Sequence, residues 1–301
     1  MNTSPFDAAH LSQSVFAVPP MARDANFQVC ATENAKIISH LESGGIRSIL
    51  YGGNAVFYHI AMAEYSKTLG ILADAAGDDT VIVPSIGPAY GLAMDQIEVL
   101  REFDFSTVML LPSRDIVDQN GIASGIRRLA ERLGKPLVVY LKIDEWLDPH
   151  LIRSLNDDGV ISWIKYAVVR QNTTDDDYLR SVIDAFPTSR IVSGIGEQPA
   201  IIHLRDFGIT GFTSGCVCVA PGRSMEMMRA IQDGNYDLAE EIREWFLPLE
   251  DLRNEISPIR VLHHAVEEAG IAQTGPLQPF LSELSTEAVG RIAKAACSLM
   301  A

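Results

Sequence analysis

Eight short apolar runs, each followed by a stretch with helical spacing, constrain this chain more than any other feature. The runs fall at 15–20, 46–51, 80–86, 107–112, 137–141, 160–167, 190–194 and 208–214. Most are near-continuously apolar and β-branched rather than alternating, which is how strands buried on both faces read. Between them, helical spacing is found at 34–43, 60–76, 94–102, 121–133, 148–156, 176–185 and 198–207. Asp, Ser or Thr at the starts and Gly at the stops punctuate several of these segments. Strictly alternating strand and helix imposes parallel strands with right-handed crossovers. Eight such units close into a (β/α)₈ TIM barrel. An open doubly wound sheet shares the pattern, but no G-x-G-x-x-G follows the first strand.

After the eighth run come helical stretches at 224–233, 237–252, 258–269 and 286–299 with no strand between them. The expected organisation is therefore α/β: a barrel over 1–222 and a C-terminal helical extension over 223–301 packed on it. Lys plus Arg number 24 against 39 Asp plus Glu, a net charge of −15. That argues against nucleic acid and anionic membrane surfaces as partners, because both need clustered cations. There is no apolar run long enough to span a membrane, and the first ten residues lack the cationic and apolar regions of a signal peptide. The expected location is cytoplasmic, with Cys30, Cys216, Cys218 and Cys297 as buried, reduced thiols.

In a barrel, functional side chains sit at the C-terminal ends of the strands. Lys165 lies late in the sixth run, Val160-Ile-Ser-Trp-Ile-Lys-Tyr-Ala167. Burial disfavours an ammonium, so such a lysine has a lowered pKa and a nucleophilic amine. The competing reading is a strand-end lysine that snorkels into water. Tyr140 closes the neighbouring fifth strand, where a phenol beside an amine suits proton transfer, or simply fills the barrel. Lys142, two residues on, shares its face: it either binds a substrate carboxylate or merely pairs with Asp144 or Glu145, and Lys142 or Arg114 is the candidate for a distal anion. The second run ends in Tyr51-Gly-Gly-Asn54. Gly52, Gly53 and Asn54 there form either a bare tight turn or one whose N–H groups hold a carboxylate. Gly194 and Thr213 belong to glycine-rich ends of the last two strands. His263 and His264 are adjacent on a helix and diverge, so they make no metal pair. His59 and His203 stand alone, and Asp74, Asp78, Asp79 and Asp175–Asp177 read as solvated helix starts. Neither a metal nor an organic cofactor is expected.

These residues together resemble the dihydrodipicolinate synthase / N-acetylneuraminate lyase family. The resemblance rests on Ile-Ser-Trp-Ile-Lys165, on Leu-Val-Val-Tyr140 about 25 residues earlier, on the glycine turn at 52–53, and on Ser193-Gly-Ile-Gly and Gly211-Phe-Thr-Ser-Gly. It covers nearly the whole chain. It implies a (β/α)₈ barrel, usually a homotetramer, that condenses or cleaves 2-oxo acids through a lysine Schiff base. Lys165 then matches the imine-forming lysine and Tyr140 the proton-transfer tyrosine. The family's Gly-Thr-Thr-Gly-Glu turn falls on Gly52-Gly53-Asn54-Ala55-Val56, where both threonines and the glutamate are missing. The segment Leu141-Lys-Ile-Asp-Glu-Trp146 lacks the synthases' arginine, and Leu110-Leu-Pro-Ser-Arg-Asp115 lacks the tyrosines that reach a neighbouring subunit. A lysine-pathway synthase is therefore not expected. The expectation is an aldolase or dehydratase acting on a sugar-derived 2-oxo acid such as a pyruvate derivative, assembled as a tetramer or dimer. The alternative is a non-catalytic oxo-acid-binding barrel.

Overall fold

A computed structural model describes residues 1–300. Nine strand segments make one parallel sheet: β1 (Phe16–Ala17), β2 (Ser48–Leu50), β3 (Val81–Val83), β4 (Ser85–Ile86), β5 (Met109–Leu110), β6 (Leu137–Leu141), β7 (Ile161–Tyr166), β8 (Ile191–Ser193) and β9 (Gly211–Ser214). Their order is β3-β2-β1-β9-β8-β7-β6-β5-β4. The two ends, β3 and β4, are consecutive pieces of one chain segment broken only at Pro84. The eight-unit barrel of the sequence reading is thus present, with its third strand counted twice. Proline has no N–H to give the ladder, but its carbonyl still accepts from Met109 N at 2.9 Å.

The strands are shorter than the apolar runs, because the outer residues of each run turn into loops. The helices begin and end within a few residues of the expected positions; the 94–102 stretch, for example, is helical over Tyr90–Leu100. A short helix, Ala8–Gln13, was not legible from periodicity. It is held by a capping box between Asp7 and His10. Its Leu11 carbonyl packs so close to Gly211 that a Cβ there would sit 2.5 Å away. Just before it, Phe6 stacks on Trp163. Phe16 and Trp163 approach to 5.0 Å between ring centroids. Trp163 is two residues before Lys165 on β7, so both project to one side of the sheet. The lysine therefore sits above an aromatic layer that excludes water.

Register between β6 and β7 shifts between Leu137 and Val138, so that Leu137 pairs with Ile161 but Val138 with Trp163. This bulge skips Ser162 and brings Tyr140 opposite Lys165 rather than Ile164. Arg190 holds the bulged segment, donating from Nη1 to Ile161 O at 3.1 Å and Ser162 O at 3.4 Å.

The C-terminal helices Pro221–Gln232, Tyr236–Glu255, Pro258–Glu268 and Thr286–Ser298 form the expected extension. Among the described residues no helix is long and apolar enough to cross a membrane.

Three readings are corrected. Asp176 is not solvated: it caps its helix and is 1% exposed. Tyr166 Oη donates to it at 2.7–2.8 Å, and Arg170 pairs with it at 3.0 Å. His203 is not isolated, since its Nδ1 meets Ser193 Oγ at 2.8 Å in the interior. Of the cysteines, all free, only Cys216 and Cys218 are buried; Cys30 is half-buried and Cys297 exposed.

Candidate active site

A cavity of about 250 Å³ opens at the C-terminal end of the barrel. The β2 turn contributes Gly53 and Asn54 to its wall, β6 and its extension Tyr140 and Lys142, β7 Lys165, and the ends of β8 and β9 Gly194 and Thr213. Seven of the expected residues are thus brought together from five strands.

The eighth, Gly52, is not among them. It is buried, and a Cβ there would come within 2.7 Å of Met109 Cε. Arg114, the other candidate for an anion, is exposed and does not line the cavity.

Lys165 is 5% exposed. Its amine is lowered to about 7, chiefly by desolvation and then by the charges of Lys142 and Arg253. Its Nζ lies over the Tyr140 ring, 4.6 Å from the centroid. Burial, and secondarily Tyr58, raises the Tyr140 phenol well above its ordinary value, so its hydroxyl holds its proton. The site therefore sets a partly neutral amine beside a protonated phenol at neutral pH. Lys142 sits exposed on the rim. The desolvating wall, and then Arg114, lower its pKa.

Gly194 makes room for this lysine. A Cβ at Gly194 would meet Ala167 Cβ at 2.6 Å, Tyr166 O at 2.9 Å and Lys165 Cε at 3.0 Å. Two of these atoms are backbone or fixed to it, so the strands must move. Gly194→Ala is expected to cost about 1–3 kcal/mol, the usual size of overpacking, read as a lowered urea midpoint. An unshifted midpoint would show that β7 and β8 have slack.

In the β2 turn, Val56 N bonds Gly53 O at 2.9 Å and Phe57 N bonds Gly52 O at 3.1 Å. Among the described residues the N–H groups of Gly53, Asn54 and Ala55 donate to no protein group. Asn54 Nδ2 donates to Val18 O at 2.7 Å, which fixes the side chain at the cavity edge.

The helical extension supplies what the sequence reading missed. Glu250 and Arg253, one turn apart on the Tyr236–Glu255 helix, both line the cavity. Arg253 Nη1 donates to Glu250 Oε1 at 3.0 Å. Burial lowers the arginine, but Glu250, Cys216 and Glu197 together outweigh it and hold the guanidinium charged. The signal lay in the helix pattern: Phe246, Glu250 and Arg253 continue one buried stripe, so two charged residues occupy apolar-face positions.

Behind them, Glu197 is fully buried and its Oε1 accepts from Ser224 Oγ at 2.6 Å. Its Oε2 has no hydrogen-bond partner. Carboxylate oxygens of Glu197 and Glu250 and the Cys216 sulfur lie within 4.8 Å of one another. The spacing would admit a metal ion, but the Arg253 guanidinium already sits on Glu250, with its Nη1 4.0 Å from Cys216 Sγ. The positive charge this cluster needs is supplied by the protein.

Desolvation and then the Glu250 charge push Glu197 well above the ordinary carboxylate range. As pH rises past the ordinary value of 4.5, the unfolded chain releases this proton while the folded chain keeps it. The folded state then binds more protons, so this residue's contribution to stability falls as pH rises toward and beyond neutrality. Glu197→Gln mimics the protonated acid and is expected to flatten that slope. Melting temperature measured from pH 5 to 8.5 checks this, and a variant with the parent's slope would refute it.

The geometry finds counterparts in known proteins. A model of the Dihydrodipicolinate synthetase family matches residues 11–296. The 4-hydroxy-tetrahydrodipicolinate synthase of Methanospirillum hungatei is 23% identical over 262 residues, 85% of this chain and 87% of that protein. The Streptomyces avermitilis protein named Probable 5-dehydro-4-deoxyglucarate dehydratase 2 is 21% identical over 210 residues, 68% of this chain, and the match spans only 61% of its length. Among solved structures, the dihydrodipicolinate synthase of Oceanobacillus iheyensis superposes with a TM-score of 0.84 at 21% identity, covering 97% of each chain. At that identity the superposition speaks for the fold.

Proposed function

The chain belongs to the dihydrodipicolinate synthetase family, and from that premise we propose that it is a lyase that works on a 2-oxo acid through a Schiff base at Lys165. The observation that carries this reading is a buried lysine, lowered to about 7, over the ring of a protonated tyrosine in a strand-end cavity. In the neutral fraction, the Lys165 nitrogen pair attacks the C2 carbonyl of the acid. The carbinolamine that forms loses its hydroxyl as water, with Tyr140 as proton donor, and leaves a protonated imine. That cation is an electron sink. For dehydration a proton leaves C3 to give the enamine, whose pair then expels the C4 hydroxyl, protonated as it goes, as water; for cleavage the C4 hydroxyl gives up its proton to become a carbonyl, the C3–C4 pair becomes the enamine, and C3 is reprotonated. Water then hydrolyses the imine and restores the amine.

The unpaired N–H groups at Gly53 and Asn54, with Thr213, hold the 2-oxo acid carboxylate, and Lys142 waits at the rim. No metal or organic cofactor enters this route. The substrate is a sugar-derived acid; a sugar-acid dehydratase is among the relatives, and the lost arginine segment speaks against a lysine-pathway synthase. Borohydride with pyruvate, or with a panel of 2-oxo acids, should fix a reduced adduct on Lys165, identified by peptide mass. If no acid is trapped, the second reading takes over: the altered Gly-Gly-Asn turn belongs to a barrel that binds oxo acids without chemistry.

We read residues 1–222 as the barrel and 223–301 as its extension, and place the protein in the cytoplasm, in keeping with its free cysteines. We also propose a homo-oligomer, tetramer or dimer. Ile116 is held out at 105% exposure with a left-handed φ of 58°. It stands beside an apolar groove of about 450 Å³ that includes Leu110, Ile122 and Trp146. A surface of this kind is more often covered than left to water. Light scattering at micromolar concentration is expected to give a multiple of 32.9 kDa; a monomer would sink the assembly.

A further inference from the structure

We propose that Arg253, carried by the helical extension rather than by a barrel strand, recognises a second carboxylate, so that the substrate is a 2-oxo acid ionised at both ends. This rests on the 2-oxo acid reading of the cavity and narrows it.

The guanidinium is fixed and only partly used. Arg253 is 8% exposed. Its Nη1 is taken by Glu250 and its Nε donates to Pro258 O at 3.4 Å. Among the described residues, Nη2 donates to no protein group. It lies against Gly215, another cavity residue, where a Cβ would come within 2.6 Å of it. The glycine leaves the space in which Nη2 rests at the cavity wall. A guanidinium clamped on one side by a carboxylate, with its remaining edge directed to a cavity, is built for a carboxylate that arrives with the ligand.

The charge balance points the same way. The chain carries −15 overall, yet the cavity wall offers Lys142 and Arg253, with Lys165 partly charged, against Glu250. Glu197 behind the wall adds no negative charge while it stays protonated. The 2-oxo carboxylate has its own donors at the β2 turn. Arg253 comes from the helical extension and meets the cavity beside Gly215, and neither the β2 turn nor Thr213 hydrogen-bonds it, so its free edge is the second anion position. Glu250 is its positioning residue.

The test uses two acids of equal chain length, 2-oxoglutarate and 2-oxopentanoate, titrated calorimetrically into the full chain at neutral pH. The parent is expected to bind the diacid about tenfold or more tighter, the scale of one charge-assisted contact. Arg253→Gln should close that gap. Since this variant leaves Glu250 unpaired, the double variant Arg253→Gln/Glu250→Gln is measured beside it, and should show the same lost selectivity if folded. A purely structural role for Arg253 would weaken both acids together and keep their ratio, which overturns the proposal. So would a parent that binds the two acids equally, or neither. Borohydride trapping of pyruvate on the parent reports the imine chemistry separately: trapping can fail while the diacid preference stands, and the reverse.

Discussion

Lys165→Arg and Lys165→Ala are each expected to lose turnover and borohydride trapping to below detection, while the barrel stays folded. The guanidinium does not deprotonate in a protein, so arginine keeps a charge and forfeits the nucleophile. Alanine removes both. The reaction runs through a covalent bond to this nitrogen, and no other lysine of the cavity is buried beneath the strand ends: Lys142 stands exposed at the rim. Stability gives a second reading with a defined sign. The amine is lowered to about 7 in the folded chain, against an ordinary 10.5. Between those values the unfolded chain binds more protons than the folded one, so stability rises with pH. The cost of burying the ammonium is full below pH 7 and vanishes above the ordinary value. Lys165→Ala should therefore raise the melting temperature most at acid pH. The gain is on the order of a few kcal/mol there, offset in part by the cavity the alanine leaves. Trapping that persists at another lysine in these variants would end the assignment.

Tyr140→Phe is expected to slow turnover by roughly 10²-fold or more, the size of a lost acid–base group. The fold should survive, and Lys165 should still be trapped, but more slowly, because the same hydroxyl serves imine formation. The ring over which Lys165 Nζ lies is unchanged by the substitution, so the packing that desolvates the amine remains. What disappears is the hydroxyl, which burial keeps protonated and which donates as the carbinolamine loses water. Trapping that is slowed yet goes to completion in a folded variant, together with slowed turnover, separates proton transfer from packing. Unchanged kcat would reduce Tyr140 to a wall of the cavity.

Much of this was open to a reader of the sequence alone. Strands buried on both faces must be continuously apolar, so runs such as Leu137–Leu141 announce a parallel sheet, and eight of them with helices between announce closure. A lysine inside such a run is costly enough to be noticed, and a tyrosine at the end of the preceding one follows from the strand-end rule. Those constraints are local or periodic, and local chemistry carries them.

What the tertiary structure decided depends on register and on contacts between distant segments. That Tyr140 stands opposite Lys165 and not opposite Ile164 is the work of one bulge at Ser162, braced by Arg190 from further along the chain; no periodicity announces a skipped residue. Gly52 and Gly53 look alike in sequence, yet the first faces Met109 in the filled interior and the second the cavity, because successive residues at a strand end point to opposite sides. Asp176 resembles its solvated neighbours until Tyr166 and Arg170 close over it. Glu250 and Arg253 lie more than eighty residues beyond Lys165 and reach its cavity only because the extension folds back over the barrel mouth. A sequence specifies such a meeting through the packing of the whole apolar face of a helix, and that sum is settled only when the chain is folded.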